Sequence, residues 1–263
     1  MIKWDCEKAK ITNEEDIYAK LPNRVVWVCK DENSKLEGIM IDHSLRELIN
    51  YNFTVSALYT LYTNLNLKGY TTFSIEELIE DCGYKSNKDN IKKFKGLLLQ
   101  LNEMNVISNL STDIIKAKAN TYIECRLNLD SDSQYFMVYA KQYEAIFNSK
   151  YTVKEKNNSF TFLCYVLSKI KINGDFCHFS LMEASEELGI NKNTILSIRD
   201  ILKELNLLYF DFVGTEYNNK NCDTVYALSK ENLLKGLQWS YALYSYFGIF
   251  NPKEEYKRLF ERA

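Results

Sequence analysis

Proline is almost absent from this chain, at 2 of 263 residues, and glycine is sparse, at 9. That scarcity excludes collagen-like repeats and Pro-rich linkers and suits a helix-rich chain. Histidine occurs only as His43 and His178, and neither has a Cys, His or carboxylate partner at ligand spacing. No apolar run reaches the ~18–20 residues that a membrane span needs. The opening Met-Ile-Lys-Trp-Asp-Cys-Glu lacks the apolar stretch of a signal peptide. The chain is therefore expected to be soluble and cytoplasmic, with no membrane partner. A charge excess is also missing: 33 Lys+Arg face 35 Asp+Glu, for a net charge of −2. This excludes a uniformly basic nucleic-acid coat but not a local basic face, because binding responds to the local field.

Chemistry-bearing motifs are missing too. The seven cysteines form no Cys-x-x-Cys pair, and their odd count fits no disulfide framework, so reduced thiols are expected. There is no Gly-rich phosphate loop followed by Gly-Lys-Ser/Thr, and no Gly-x-Ser-x-Gly. Carboxylate pairs such as Glu76/Glu80 fall on what should be a solvated helix face. The expectation is a non-enzyme with no cofactor, no metal and no small-molecule substrate. None of the 19 tyrosines is singled out as a nucleophile.

What is present is a repeat. Thr72–Gly83 (TFSIEELIEDCG) matches His178–Gly189 (HFSLMEASEELG) at an offset of 106 positions. With a two-residue slip, Ile91, Phe94, Leu98 and Leu101 fall opposite Ile195, Ile198, Leu202 and Leu205. Upstream, Leu58-Tyr59 falls opposite Cys164-Tyr165, and Met40, Glu47 and Ile49 fall opposite Met137, Glu144 and Ile146. Four segments in one order indicate two copies of a single unit, over residues 36–130 and 135–228.

Each copy switches period in the same sequence. An apolar helix (Val55–Tyr62; Phe160–Leu167) precedes a short extended stretch ending at Phe73 or Phe179. Ser74 and Ser180 follow as N-caps, each with Glu three residues on, which is the capping-box pattern. The capped helix should stop at Gly83 or Gly189. A polar turn leads to a longer amphipathic helix. The period then becomes two, with strands at 106–110 and 122–127 around a loop at 111–120, and at 208–212 and 224–228 around 213–223. This order predicts an α+β, mostly helical chain built from two tandem winged helix-turn-helix domains. The same order also serves protein-contact modules.

Charge is polarised within each copy. Glu76, Glu77, Glu80 and Asp81 precede the turn, whereas Lys85, Lys88, Lys92, Lys93 and Lys95 follow it. The second copy repeats this with Glu183, Glu186 and Glu187 before Lys192, Arg199 and Lys203. At 100° per residue, Lys88, Lys92 and Lys95 lie on the flank of an apolar sector ~80° wide. Through the slip, Lys88 corresponds to Lys192 and Lys95 to Arg199. A helix entering the major groove uses such cations for phosphates and polar side chains at its first turn for base edges. Asn87 and Asn193 are candidates to pair with adenine, and Arg199 to grip guanine. Lys116 and Lys118 in the first loop, and Lys220 in the second, complete the expected DNA-binding set. The plain alternative for each lysine is a solvated helix face.

Outside the repeat, residues 1–35 contain Ala19-Lys20-Leu21-Pro22-Asn23 and the start of an expected hairpin, Arg24–Cys29 with Gly38–Ile41. That opening resembles DnaD-like replisome organisers. Residues 229–263 contain an aromatic helix, Leu233–Phe247, too apolar to lie free in water, and then a charged helix at 253–262 led by Pro252. It is expected to pack within its own chain rather than on a partner.

The tandem arrangement resembles the replication initiators of bacterial plasmids and phages. The resemblance spans residues 36–228 at the level of architecture and carries no signature residue. It implies sequence-specific binding of double-stranded DNA at repeated origin sites, with one domain dimerising and the other, usually the C-terminal one, reading DNA. It leaves open a homodimer and a replication-protein partner. Such initiators are usually basic, and this chain is not. A transcriptional repressor of the same fold, and a protein-binding adaptor or inhibitor, are the alternatives.

Overall fold

The structure, a computed structural model, describes residues 18–22, 51–66, 68–128, 135–170, 174–217, 223–248 and 250–261. Among these the chain is α+β, mostly helical, with small antiparallel sheets. It divides into two compact units, Met1–Cys164 and Tyr165–Ala263. The hairpin expected over 24–41 and the positions Met40, Glu47 and Ile49 lie outside the described residues.

In the first unit, strand β1 (Tyr18–Pro22) is followed by helix α1 (Thr54–Thr63), β2 (Tyr70–Ser74), α2 (Ile75–Asp81), α3 (Lys88–Glu103), β3 (Ile107–Ser108) and β4 (Tyr122–Leu127). Then come β5 (Tyr135–Tyr139), α4 (Ala140–Phe147) and the greater part of α5 (Val153–Lys169). Every residue of α1 is buried, which suits a helix with apolar or small side chains on all faces. Phe53 stacks on Phe94 of α3 with centroids 4.1 Å apart, and Tyr59 stacks on Tyr143 of α4 at 4.5 Å. In β4, Ile123, Cys125 and Leu127 point inward and Tyr122, Glu124 and Arg126 outward, the alternation of a strand with one wet face.

The sequence repeat suggests a boundary near 130–135, whereas the compact units part inside α5. The reason is visible in the contacts. β5 pairs antiparallel with β1, the Tyr143 hydroxyl donates to the Asp81 carbonyl, and the Asn157 amide donates to the Cys82 carbonyl at 2.9 Å. Residues 135–164 therefore complete the first unit.

In the second unit, the end of α5 is followed by β6 (Phe176–Phe179), α6 (Leu181–Leu188), α7 (Lys192–Glu204), β7 (Tyr209–Asp211), β8 (Gly214–Tyr217) and β9 (Thr224–Ala227). Helix α8 (Lys230–Phe247), β10 (Phe250–Pro252) and α9 (Glu254–Phe260) close it. The chain order α1–β2–α2–α3–β3–β4 thus recurs as α5–β6–α6–α7–β7–β9. The sheets share one order too, β2-β4-β3 and β6-β9-β7.

Local signals account for the matching ends. Ser74 makes the complete capping box with Glu77. Ser180 makes only half of it: its hydroxyl accepts from Glu183 N–H at 3.0 Å, while the Glu183 carboxylate lies 3.1 Å from Lys169 Nζ instead. Gly83 and Gly189 take φ of +80° and +65°, where a Cβ would be strained. A second matched pair has the same cause. Asn105 and Asn206 both sit at φ +56° after α3 and α7, the left-handed stop that asparagine tolerates best after glycine.

The C-terminal segment packs within its own unit, as expected for so apolar a helix. Leu237, Tyr241 and Tyr244 of α8 join Val213 and Val225 in one cluster, flanked by Phe176, Leu233, Tyr256 and Phe260. Pro252 lies in β10 rather than opening a helix, and β10 pairs antiparallel with β8. Lys253 Nζ lies 2.7 Å from Asp211 Oδ1 and over the Phe212 ring, and the Tyr256 hydroxyl donates to Asp211 Oδ2. Burial pushes the Asp211 carboxyl up. The bonds from Lys253, Tyr256 and the Phe212 N–H outweigh it and hold it below its ordinary value. Its contribution is therefore present above the usual carboxylate range and is lost as pH falls through the depressed value, below pH ~4. Proteolysis around residues 248–253 should accelerate on acidification from pH 5 to 3, and Asp211→Asn should accelerate it at neutral pH. A cleavage rate indifferent to both would show that the clasp does not hold the segment.

Candidate nucleic-acid interface

The longest run of exposed cations described in the first unit begins just before α3. The turn is fixed by asparagines: Asn87 Oδ1 accepts from Asn90 N–H at 2.9 Å, and Asn90 Nδ2 donates to the Lys85 carbonyl at 2.9 Å. Phe94, Leu97, Leu98 and Leu101 bury one face of the helix. Lys85, Lys88, Lys92 and Lys93 are exposed, with Asp89 as the carboxylate among them. None of these four lysines makes an ion pair among the described residues. Lys88 opens the helix at its positive end, where the macrodipole favours anions and opposes a lysine. Helix stability therefore gives no account of Lys88 at this position.

The matched pair Lys95 and Arg199 turns inward in both units. Lys95 Nζ donates to the carbonyls of Ile115 and Ala117 at 2.8 and 2.7 Å. The loop after β3 is consequently a packed structure: Ile114 and Ala117 are buried, and Ala119 O accepts from Glu76 N–H at 2.9 Å. Arg199 stacks its guanidinium 4.3 Å over Phe210 and donates to the Tyr226 hydroxyl at 3.2 Å. Lys203 lies over the same Phe210 ring at 5.3 Å. Both flank cations thus bind their helix to the chain segment after it. Neither position is legible from spacing, because a flank residue borders core and solvent alike.

The remaining expected residues fall as follows. Asn87 commits its amide oxygen to capping α3, so the two-point pairing with adenine would cost that cap. Asn193, by contrast, has an exposed side chain one residue into α7, whose cap is Asn191. Lys192 is exposed at the first position of α7. Lys116 is 85% exposed and 3.6 Å from Asp113, and Lys118 is exposed. Lys95 draws residues 115–117 against α3, bringing that loop and the helix together. Lys220 lies outside the described residues.

Replacing Lys95 with methionine keeps the aliphatic stem and removes both bonds. Hydrogen bonds from charged donors contribute about 1.5–3 kcal/mol each when protected, less at a partly exposed site. Amide exchange at Ser111 and Ala117 should rise at least tenfold in Lys95→Met while α3 amides stay protected. Unchanged exchange in the loop would show that it holds itself.

Among the described residues no group of three or more His, Cys, Asp or Glu could hold a metal ion. The His178 ring lies 4.9 Å from that of Trp239. Cys82, Cys125, Cys164 and Cys177 are free and buried; burial pushes the Cys125 and Cys177 thiols up to about 12 and the other two well above their ordinary value. They are thiols, not thiolates. Tyr122 is exposed, but its hydroxyl donates to Glu77 at 2.6 Å, and this bond raises its pKa. No described helix is long and apolar enough to cross a membrane. Comparison with protein-family models, with curated proteins and with solved structures finds no match.

Proposed function

We propose that this protein binds double-stranded DNA through tandem winged-helix domains, as a replication initiator of plasmid or phage type acting at repeated origin sites. The observation that carries the reading is the cluster of exposed lysines around the start of α3, none of them ion-paired among the described residues. Support comes from the repeated helix–strand–helix–helix–strand–strand order, with identical sheet order in both halves. In this reading α3 and α7 occupy the place of recognition helices, and the segments after β3 and β7 occupy the place of wings. A near-neutral total charge is compatible with it, because the four cations are concentrated on one short stretch.

Phosphate contact by four lysines would give a slope of log K against log salt of about −3.6, so affinity should fall on the order of a hundredfold between 50 and 200 mM salt. Fluorescence anisotropy with duplexes from the DNA flanking the protein's own gene measures this. A footprint on repeated sites there would distinguish an origin from a promoter. No duplex binding at low salt would end the reading.

A further inference from the structure

The two units are not equivalent at the proposed interface, although the sequence repeat presents them as copies. We infer that duplex contact falls to the first unit, through the start of α3, and that α7 of the second unit does not carry it. This inference rests on the DNA-binding reading above and divides it between the units. It is the reverse of what the resemblance to plasmid initiators implies.

The argument is positional. By the two-residue slip, Lys88, Lys92 and Lys93 of α3 correspond to Lys192, Leu196 and Ser197 of α7. All three residues on α3 are exposed cations. At the three equivalent positions of α7 one cation remains, and the centre of the equivalent face is Leu196, 37% exposed, with an exposed serine beside it. Phosphate oxygens are bound by charge-assisted donors, and a leucine at that place excludes water without supplying one. The next cation on α7, Arg199, is occupied against Phe210 and Tyr226, and exposed Asp200 follows it directly.

The segments after the helices differ in the same sense. In the first unit Lys95 holds residues 115–117 on α3, in a loop that carries exposed Lys116, 3.6 Å from Asp113, and exposed Lys118. In the second unit one edge of β8 pairs with β10, and Lys253 is spent on Asp211. A DNA backbone would meet a run of cations on one unit. At the equivalent start of α7 it would meet one lysine, a leucine and a serine.

The test compares two charge reversals in the full chain, on a duplex that the unaltered protein binds. Lys88→Glu/Lys92→Glu/Lys93→Glu is expected to lower affinity at least a hundredfold and to flatten the salt slope. Lys192→Glu/Lys203→Glu is expected to change affinity less than threefold. All five side chains are exposed, so melting transitions should be retained; where the double variant loses its transition, Lys192→Glu alone serves. Equal losses in both variants, or a loss confined to the second, would overturn the division while leaving DNA binding intact. Unaltered protein that binds no duplex would overturn both. Retained affinity in the triple variant would overturn the placement on α3.

Discussion

Phe160→Ala should unfold the first unit at markedly lower denaturant than the unaltered protein. The side chain is fully buried, and its ring makes edge contacts with Tyr59 at 5.2 Å and Tyr143 at 5.0 Å, with Phe147 at 6.1 Å. These rings come from α1, α4 and α5, so the cavity would open where three helices meet. Removing a buried Phe costs about 3–5 kcal/mol, the lost transfer energy plus the cavity left behind. Stacked aromatic neighbours cannot collapse into such a space without losing their own contacts, which places the expected loss in the upper part of that range. In a domain of this size the midpoint temperature should fall on the order of 10 °C. Urea unfolding followed by tyrosine fluorescence would measure it. A loss under 1 kcal/mol would mean that α4 and α5 do not pack on α1 as described.

A second large effect is expected at Gly236, in the middle of α8. Alanine in a helix interior ordinarily stabilises by up to about 1 kcal/mol over glycine. Here a Cβ would come 2.5 Å from Val225 Cγ1 and 2.7 Å from Phe176 Cγ, distances at which something must move. Val225 is fully buried in β9, and Phe176 is packed against the same cluster. Neither can withdraw without shifting the sheet. Overpacking of this kind costs about 1–3 kcal/mol, so the sign of the usual glycine-to-alanine effect should reverse. Gly236→Ala is expected to destabilise the second unit by on the order of 2 kcal/mol, and Gly236→Val by more. Trp239 lies one turn on, beside His178 and Phe176, so its fluorescence reports whether α8 stays seated. A stabilised Gly236→Ala protein would show that α8 stands further from the sheet.

The parts of the fold that were legible in the sequence are those set by neighbours in the chain. Ser74 with Glu77, Gly83 and Gly189 fix helix ends within one turn, and the apolar positions of α3 and α7 fix which face is buried. The asparagines at 105 and 206 obey the same local rule and could have been read. What was not legible is decided across the chain. Whether Lys95 turns outward depends on two carbonyls twenty residues away. Whether Arg199 is free depends on Phe210 and Tyr226. A third strand inside the expected 213–223 loop exists because β10 pairs with it. The division inside α5 follows from β1 meeting β5, which no periodicity announces. The candidate interface is correspondingly half visible: the charge pattern of the sequence marks its exposed lysines. The inward cations that shape the surface around them carry no mark in the sequence that separates them from the rest.

The cluster of Val213, Val225, Leu237, Tyr241 and Tyr244, with Tyr256 and Phe260 against it, has a consequence for biosynthesis. Domains on a growing chain generally fold in order, N-terminal first. The first unit has its described strands and helices, with the greater part of α5, once residue 164 has emerged from the ribosome. The second cannot bury Val225 until α8 and α9 have been made. The covering helices follow β9 directly in the chain, from Lys230 to Phe247 and from Glu254 to Phe260, so the second unit buries the apolar face of β9 only when these later segments have also left the ribosome.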